Sequence, residues 1–215
     1  MPRRRSDELS TGEWAILALL AERPSHGFAL AQALAPSGSV GQVWTLPRPL
    51  VYRALEVLQA RALIEQTRTE EGKGPKRTVF AVTPYGRNLV EAWLQAPVEH
   101  VRDARSLFML KLLFLHRAKL DPQRLLHAQR ARLERLERSF QERSRVTDGF
   151  DRTLALWRLE STRALVRFID AMLAASPAEP PESVGSVPAS SASDEDPLPQ
   201  RYREAEIQGW RDASE

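Results

Sequence analysis

The stretch that most limits what this chain can fold into is 48–83, where a helical pattern passes directly into two alternating ones. In RPLVYRALEVLQAR, Val51, Leu55 and Leu58 recur at spacings of four and three and share one stripe of a helix over Arg48–Arg61. Arg48, Tyr52, Arg53 and Glu56 are left on its other faces. LIEQTRTE and TVFAVT then alternate apolar with polar residues, as half-buried strands do. The link between them, EGKGPKR, has the glycines, proline and lysines of an exposed basic hairpin tip. A helix with a polar outer face followed at once by a basic hairpin is the winged form of helix-turn-helix, and it predicts a surface that meets DNA.

The elements before and after this unit fit it. Ser10 and Glu13 make a capping box, so a first helix is expected to run to about Glu22 and bury Trp14, Leu17, Ala18 and Leu20 or Ala21. Pro24 breaks it, and Ser25 is expected to cap a second helix from His26 to about Leu34. Phe28, Leu30, Ala33 and Leu34 are its core candidates, and Gly27 lets a neighbour approach closely. Residues Pro36–Pro49 are loop-rich, with Val43–Leu46 a candidate short first strand. Pro49 is tolerated only in a helix's first turn, which places the start of the next helix at 48 or 49. After the wing, Thr83 and Pro84 open a helix through Leu89, Val90, Trp93 and Leu94 that stops before Pro97.

Residues 98–175 have a different character. Leu107, Leu110 and Leu113 form one stripe while Phe108, Leu112 and Leu115 cover the other side, so this helix must be buried on nearly all faces. Asp121 and Pro122 open a long helix whose seam is Leu126, Leu133, Leu136 and Phe140. Thr147–Gly149 interrupt it, and a further helix carries Leu154, Trp157, Ala164, Leu165, Phe168 and Met172. Two such helices make a hairpin whose apolar stripes a second copy of the chain would cover most economically. The expected dimerisation residues are Leu126, Leu133, Leu136, Phe140, Leu165, Phe168 and Met172. The fold class is therefore mainly α with a small antiparallel β-wing. A basic flexible arm (1–8) precedes a winged helix-turn-helix domain (9–97). A C-terminal antiparallel helical dimerisation domain (98–175) follows, and then an acidic, proline- and serine-rich tail (176–215) whose composition predicts disorder.

Charge and composition narrow the function. The net charge of +3 conceals a division: residues 1–95 carry +3, 96–175 carry +6 and 176–215 carry −6, so the body is basic and the tail acidic. The absence of cysteine removes disulfides, thiolate metal sites and cysteine nucleophiles, and it fits a reducing cytoplasm. MPRRRS before WAILALLA is not taken as a signal peptide, because Asp7, Glu8 and the capping box interrupt the approach. The run Leu107–Leu115 contains Lys111 and falls far short of the ~20 residues a membrane helix needs, so no membrane partner is expected. His26, His100, His116 and His127 lack metal-ligand spacing, and Gly72-Lys73-Gly74 lacks the rest of a phosphate loop. Asp194-Glu195-Asp196 is a solvated acidic run. These observations predict neither an enzyme nor a cofactor or metal site.

DNA affinity comes from phosphate neutralisation and selectivity from side chains at base edges. Arg48, Tyr52 and Arg53 are placed for base edges or flanking phosphates; Lys73, Lys76 and Arg77 are placed for the backbone or an adjacent minor groove. Arg3, Arg4 and Arg5 form an arm of the kind that follows a minor groove.

The order of motifs resembles the PadR family of winged-helix transcriptional regulators. Gly27-Phe28-Ala29-Leu30, Val51-Tyr52-Arg53-Ala54-Leu55 and Thr83-Pro84-Tyr85-Gly86 stand where that family has a glycine-aromatic stretch, a recognition-helix core and a post-wing turn. WLQAPVEHVRDARSLFMLKLLF and WRLESTRALVRFID look like its longer-tailed branch. The resemblance implies a homodimer on an inverted-repeat operator in double-stranded DNA, usually acting as a repressor released by a small-molecule effector or a stress signal; the lack of a signal peptide and of a membrane span predicts a cytoplasmic location. It carries Tyr52, Lys76 and Arg77 over as DNA contacts and suggests Trp93, Trp157 and Phe168 for an effector pocket, against a plain packing role for Trp157. Two positions depart from the family pattern: Leu50 replaces a small hydroxylated residue, and Ala62 replaces a glycine before the first wing strand. The competing readings are a helical interaction module whose winged domain does not read DNA, and an activator of the same family.

Overall fold

The computed structural model describes residues 8–70 and 77–175. The basic arm, the wing-tip residues Lys73 and Lys76, and the acidic tail lie outside the described residues, apart from Glu8. The order is α1 (Thr11–Glu22), β1 (Ser25–His26), α2 (Gly27–Ala33), α3 (Arg48–Ala60), β2 (Ile64–Glu70), β3 (Arg77–Val82) and α4 (Pro84–Gln95). A 3-10 turn (Val101–Asp103) and a π-helical turn (Ala104–Phe108) then lead into α5 (Met109–Arg117), α6 (Gln123–Val146) and α7 (Gly149–Ala175). The fold is mainly helical with a three-stranded antiparallel sheet ordered β1-β3-β2, as the sequence pattern anticipates.

The capping box forms as expected: the Ser10 hydroxyl accepts from Glu13 N at 3.1 Å, and the Glu13 carboxylate accepts from Ser10 N at 2.6 Å. The helix it starts is more central than a single stripe implies. Six consecutive residues, Ala15–Leu20, are buried, whereas Trp14 is half-buried and stacks on Trp93 with ring centroids 4.8 Å apart. Two local expectations are corrected. Ser25 does not cap α2; it pairs with Phe80 in the sheet, and His26 takes the cap, its Nδ1 accepting from Ala29 N at 3.0 Å. Val43–Leu46 is not a strand, because the amides of Val43 and Trp44 turn back to Val40 O while the side chains of Val43, Trp44 and Leu46 pack on the core.

The wing carries one irregularity. Gln66 pairs with Phe80 and Arg68 with Val79, so Thr67 is an extra residue, a β-bulge of the kind that sharpens local twist. At its foot Thr83 closes the structure: its hydroxyl donates to Ala62 O at 2.9 Å and accepts from Gly86 N at 3.0 Å. Gly86 has to be small there, since a Cβ would lie 2.2 Å from Leu63 O. No side chain caps α3 at its N-terminus, where Pro47 stands. Its C-terminus is a paired-turn cap, with Ala62 N donating to Gln59 O and Leu63 N to Leu58 O. This cap requires Ala62 at φ 54°, a left-handed conformation that favours glycine.

The C-terminal helices are not a separate layer. One apolar core runs from Leu9 through Leu58, Val90 and Phe108 to Leu133 and Ile169. The link is polar at its centre. Lys111, 3% exposed, donates to Trp93 O and, at 2.7 Å, to Ala96 O, with its ammonium 4.8 Å from the Trp93 ring centroid. It thus adds a second donor to Trp93 O, which also accepts from Ala96 N, and takes Ala96 O just past the helix end. Gln129 of α6 pairs with both backbone groups of Val98, accepting at 2.7 Å and donating at 3.2 Å. A bidentate pair joins Arg117 to Glu22, both contacts 2.7 Å. Helices α6 and α7 form an antiparallel hairpin in which Arg130 reaches Asp170 at 2.6 Å and Arg163 reaches Glu137 at 2.9 Å. Ion pairs this exposed add little stability, but they fix the register.

Two stability predictions follow from this geometry. Ala62→Gly relieves the left-handed strain at an exposed position and should raise the unfolding free energy by about 1 kcal/mol in urea titrations. The second concerns pH. Burial pushes the Lys111 ammonium down from 10.5 to about 8. Between those two values the unfolded chain binds more protons than the folded one, so this group's contribution to stability rises with pH from about 8 to about 10.5. Wild type should gain roughly 1–3 kcal/mol over Lys111→Met across that interval. A flat difference between the two urea curves would refute it.

Candidate nucleic-acid interface

The buried stripe of α3 is the expected one, with Val51 and Leu58 fully buried and Leu55 nearly so. That fixes the helix rotation and turns Arg48, Tyr52 and Arg53 outward, Tyr52 being 41% exposed. The position of Tyr52 depends on Gly27, where a Cβ would come within 2.7 Å of the ring's Cε1 and 3.3 Å of Leu55 Cδ1. The missing side chain at 27 lets α2 and α3 close on each other, with Tyr52 lying over the junction.

Around that junction the side chains form a small aromatic and cationic cluster. The Arg48 guanidinium carbon is 5.4 Å from the Phe28 ring centroid and 5.9 Å from that of Tyr52. From the other element, exposed Arg77 at the start of β3 lies 5.0 Å from the same Phe28 ring, with its Nη1 3.5 Å from His26 Nε2. The structure therefore brings Arg48, Tyr52 and Arg77 together, one wing residue with two from the helix. Arg53 is exposed on the same helix. Phe28, expected in the core, is instead half-buried between the two arginines. Sequence reasoning did not single out His26 or Phe28, the two residues at the start of α2 that the structure sets beside these arginines.

The dimerisation residues divide. Leu126 and Leu133 are fully buried within the single chain and have no surface to offer a second copy. Leu136, Leu165 and Met172 are half-buried against the same core, and half-buried Phe140 has Arg158 6.0 Å from its ring. The seam is thus spent largely on the α6–α7 contact, because two antiparallel helices cover each other's stripes. Phe168 is 38% exposed. The three effector-pocket residues do not converge either: Trp93 is buried under Trp14 and beside Lys111, whereas Trp157 is 71% exposed. Trp157 is not packed in the core of the chain. A shallow groove of about 570 Å³ between α4 and α6, lined by Asn88, Glu91, Gln95 and Arg124 among others, includes none of the three.

Among the described residues no helix is long and apolar enough to cross a membrane, and no group of three or more histidine, aspartate or glutamate residues could hold a metal ion.

Several known proteins are similar to this chain. A curated Mycobacterium tuberculosis protein, described as probable transcriptional regulator Rv1176c, is 30% identical over 92 residues. That alignment covers 43% of this chain, and the chain spans about half (48%) of the relative's length. Bacillus subtilis PadR solved with operator DNA aligns at 23% identity over 78% of this chain and 99% of its own, with a TM-score of 0.38. The same protein solved with p-coumaric acid aligns at 20% identity over 79% and 97%, with a TM-score of 0.35. Residues 16–92, from within α1 to within α4, match the model of the transcriptional regulator PadR-like family.

Proposed function

We propose that the protein is a sequence-specific DNA-binding transcriptional regulator, a homodimer on an inverted-repeat operator that acts as an effector-responsive repressor. The observation that carries this is the outward face of α3, with Arg48, Tyr52 and Arg53 on the same side as Arg77 at the start of β3. In this reading α3 enters the major groove, where an arginine can pair in bidentate fashion with guanine O6 and N7. The Tyr52 ring braces the helix against α2 and leaves its hydroxyl for a base edge or phosphate. Arg77, with Lys73 and Lys76 beyond the described residues, neutralises backbone phosphates.

The second copy belongs on the outer face of α7. Phe150, Trp157 and Phe168 are 77%, 71% and 38% exposed, and their spacings of seven and eleven put them on one side of the helix. A self-complementary contact along this stripe would bury three aromatic residues and hold two α3 helices at a fixed separation. A small-molecule effector bound against Trp157 at that contact would alter the separation and so release the operator.

Gel shifts on the protein's upstream region test the DNA reading. Tyr52→Phe and Arg53→Ala should each lower the preference for operator over random duplex by roughly 1–3 kcal/mol, whereas Lys76→Ala should weaken both equally. Absence of any shift at low salt would end the regulator proposal. Sedimentation tests the assembly. Trp157→Glu should convert dimer to monomer with unchanged helical content and weaken operator binding about 100-fold. A variant that stays dimeric would move the interface elsewhere.

A further inference from the structure

His26 and Phe28 raise a question that the α3 contacts leave open: why two cationic side chains from different elements share one aromatic ring. We propose that the start of α2 is a second DNA-contacting element, in which Phe28 positions Arg48 and Arg77 to take phosphates of one strand and His26 adds an N–H donor beside them. The inference rests on the DNA-binding reading and adds residues outside α3 and the wing.

Three observations support it. A guanidinium over a ring face is held by its π-surface, and its N–H groups lie in its own plane. Arg48 at 5.4 Å and Arg77 at 5.0 Å from the Phe28 centroid are therefore anchored while keeping edge donors for planar or tetrahedral oxyanions. Second, both cations come near one ring and, among the described residues, neither pairs with a carboxylate, an arrangement that an anion between or beside them would relieve. Third, His26 has a defined tautomer. Its Nδ1 accepts from Ala29 N at 3.0 Å, so that nitrogen carries no proton and the neutral ring's proton is on Nε2. Nε2–H and Arg77 Nη1, 3.5 Å apart, are then both donors, and they call for a shared acceptor. A phosphodiester oxygen supplies one.

The test uses the full chain and a random-sequence duplex, since phosphate contacts are independent of sequence. Phe28 is replaced by mono-, di- and trifluorinated phenylalanine, which drains the ring's negative face with little change of shape. Affinity should fall progressively, by roughly 2- to 30-fold across the series, with an unchanged salt slope because no charge is lost. Arg48→Ala and Arg77→Ala should each reduce the slope of log K against log salt by about 0.9. His26→Asn keeps a helix-capping side chain but lacks the ring donor, and should weaken binding several-fold without lowering the thermal midpoint. Wild-type binding with a flat fluorination series overturns this proposal alone. A wild-type protein that leaves the duplex unshifted at low salt overturns the DNA reading and this inference with it.

Discussion

The Lys111 ammonium, buried at the end of α4, is the contact on which the relation between the two halves of the fold depends. An unpaired charge at that depth would be prohibitively costly, so the site exists only because α4 presents carbonyl oxygens and the Trp93 ring to it. Trp93 is in turn stacked on Trp14, which ties α1 into the same chain of contacts. Removing the lysine would take a donor from both Trp93 O and Ala96 O, and removing the carbonyls would leave a bare cation. Each side of the junction is needed by the other. Together with the double pairing of Gln129 to Val98, this makes the passage from winged region to hairpin stiff, although no regular element spans residues 97–100.

That stiffness matters to the proposed DNA reading because α3 has few residues to spend on it. Its inward stripe belongs to the core, and Tyr52 is partly occupied in bracing the helix against Gly27. A reader with so few free side chains gains from having them held in place. In the proposed reading, Phe28 and the hairpin serve the same end at different distances, one by orienting guanidinium groups and the other by orienting whole recognition helices.

What the sequence made legible was what local rules govern. The capping box at Ser10, the stripe of α3, the alternation in the wing, Thr83 and Pro84 opening α4, and the break at Thr147–Gly149 all follow from spacing, capping or turn chemistry. What stayed hidden depends on partners distant in sequence. A two-residue strand at Ser25–His26 has no pattern of its own and exists because Phe80 and Val79 offer it a ladder; its extended backbone moves the α2 cap from Ser25 to His26. The same holds for Lys111, which in sequence is a charge marring an apolar run. A heptad-like seam records that a stripe will be covered, but not by which helix, and Leu126 and Leu133 turn out to be covered from within. Of the cluster beside α3, Arg48, Tyr52 and Arg77 could be named from pattern alone; Phe28 could not, because an aromatic residue in an amphipathic segment is most simply assigned to the core.

The left-handed residues that end α3 and α5, Ala62 at φ 54° and Lys119 at φ 53°, carry a consequence for how the molecule is assembled. With glycine at these points the helices would stop of their own accord. Alanine and lysine are good helix formers, so nothing local obliges α3 to end before the wing. Its length is imposed from outside, by burial of Leu63 and by the Thr83 hydroxyl holding Ala62 O. The end of α3 is therefore defined jointly with the wing, since the hydroxyl that holds Ala62 O belongs to the residue just beyond β3.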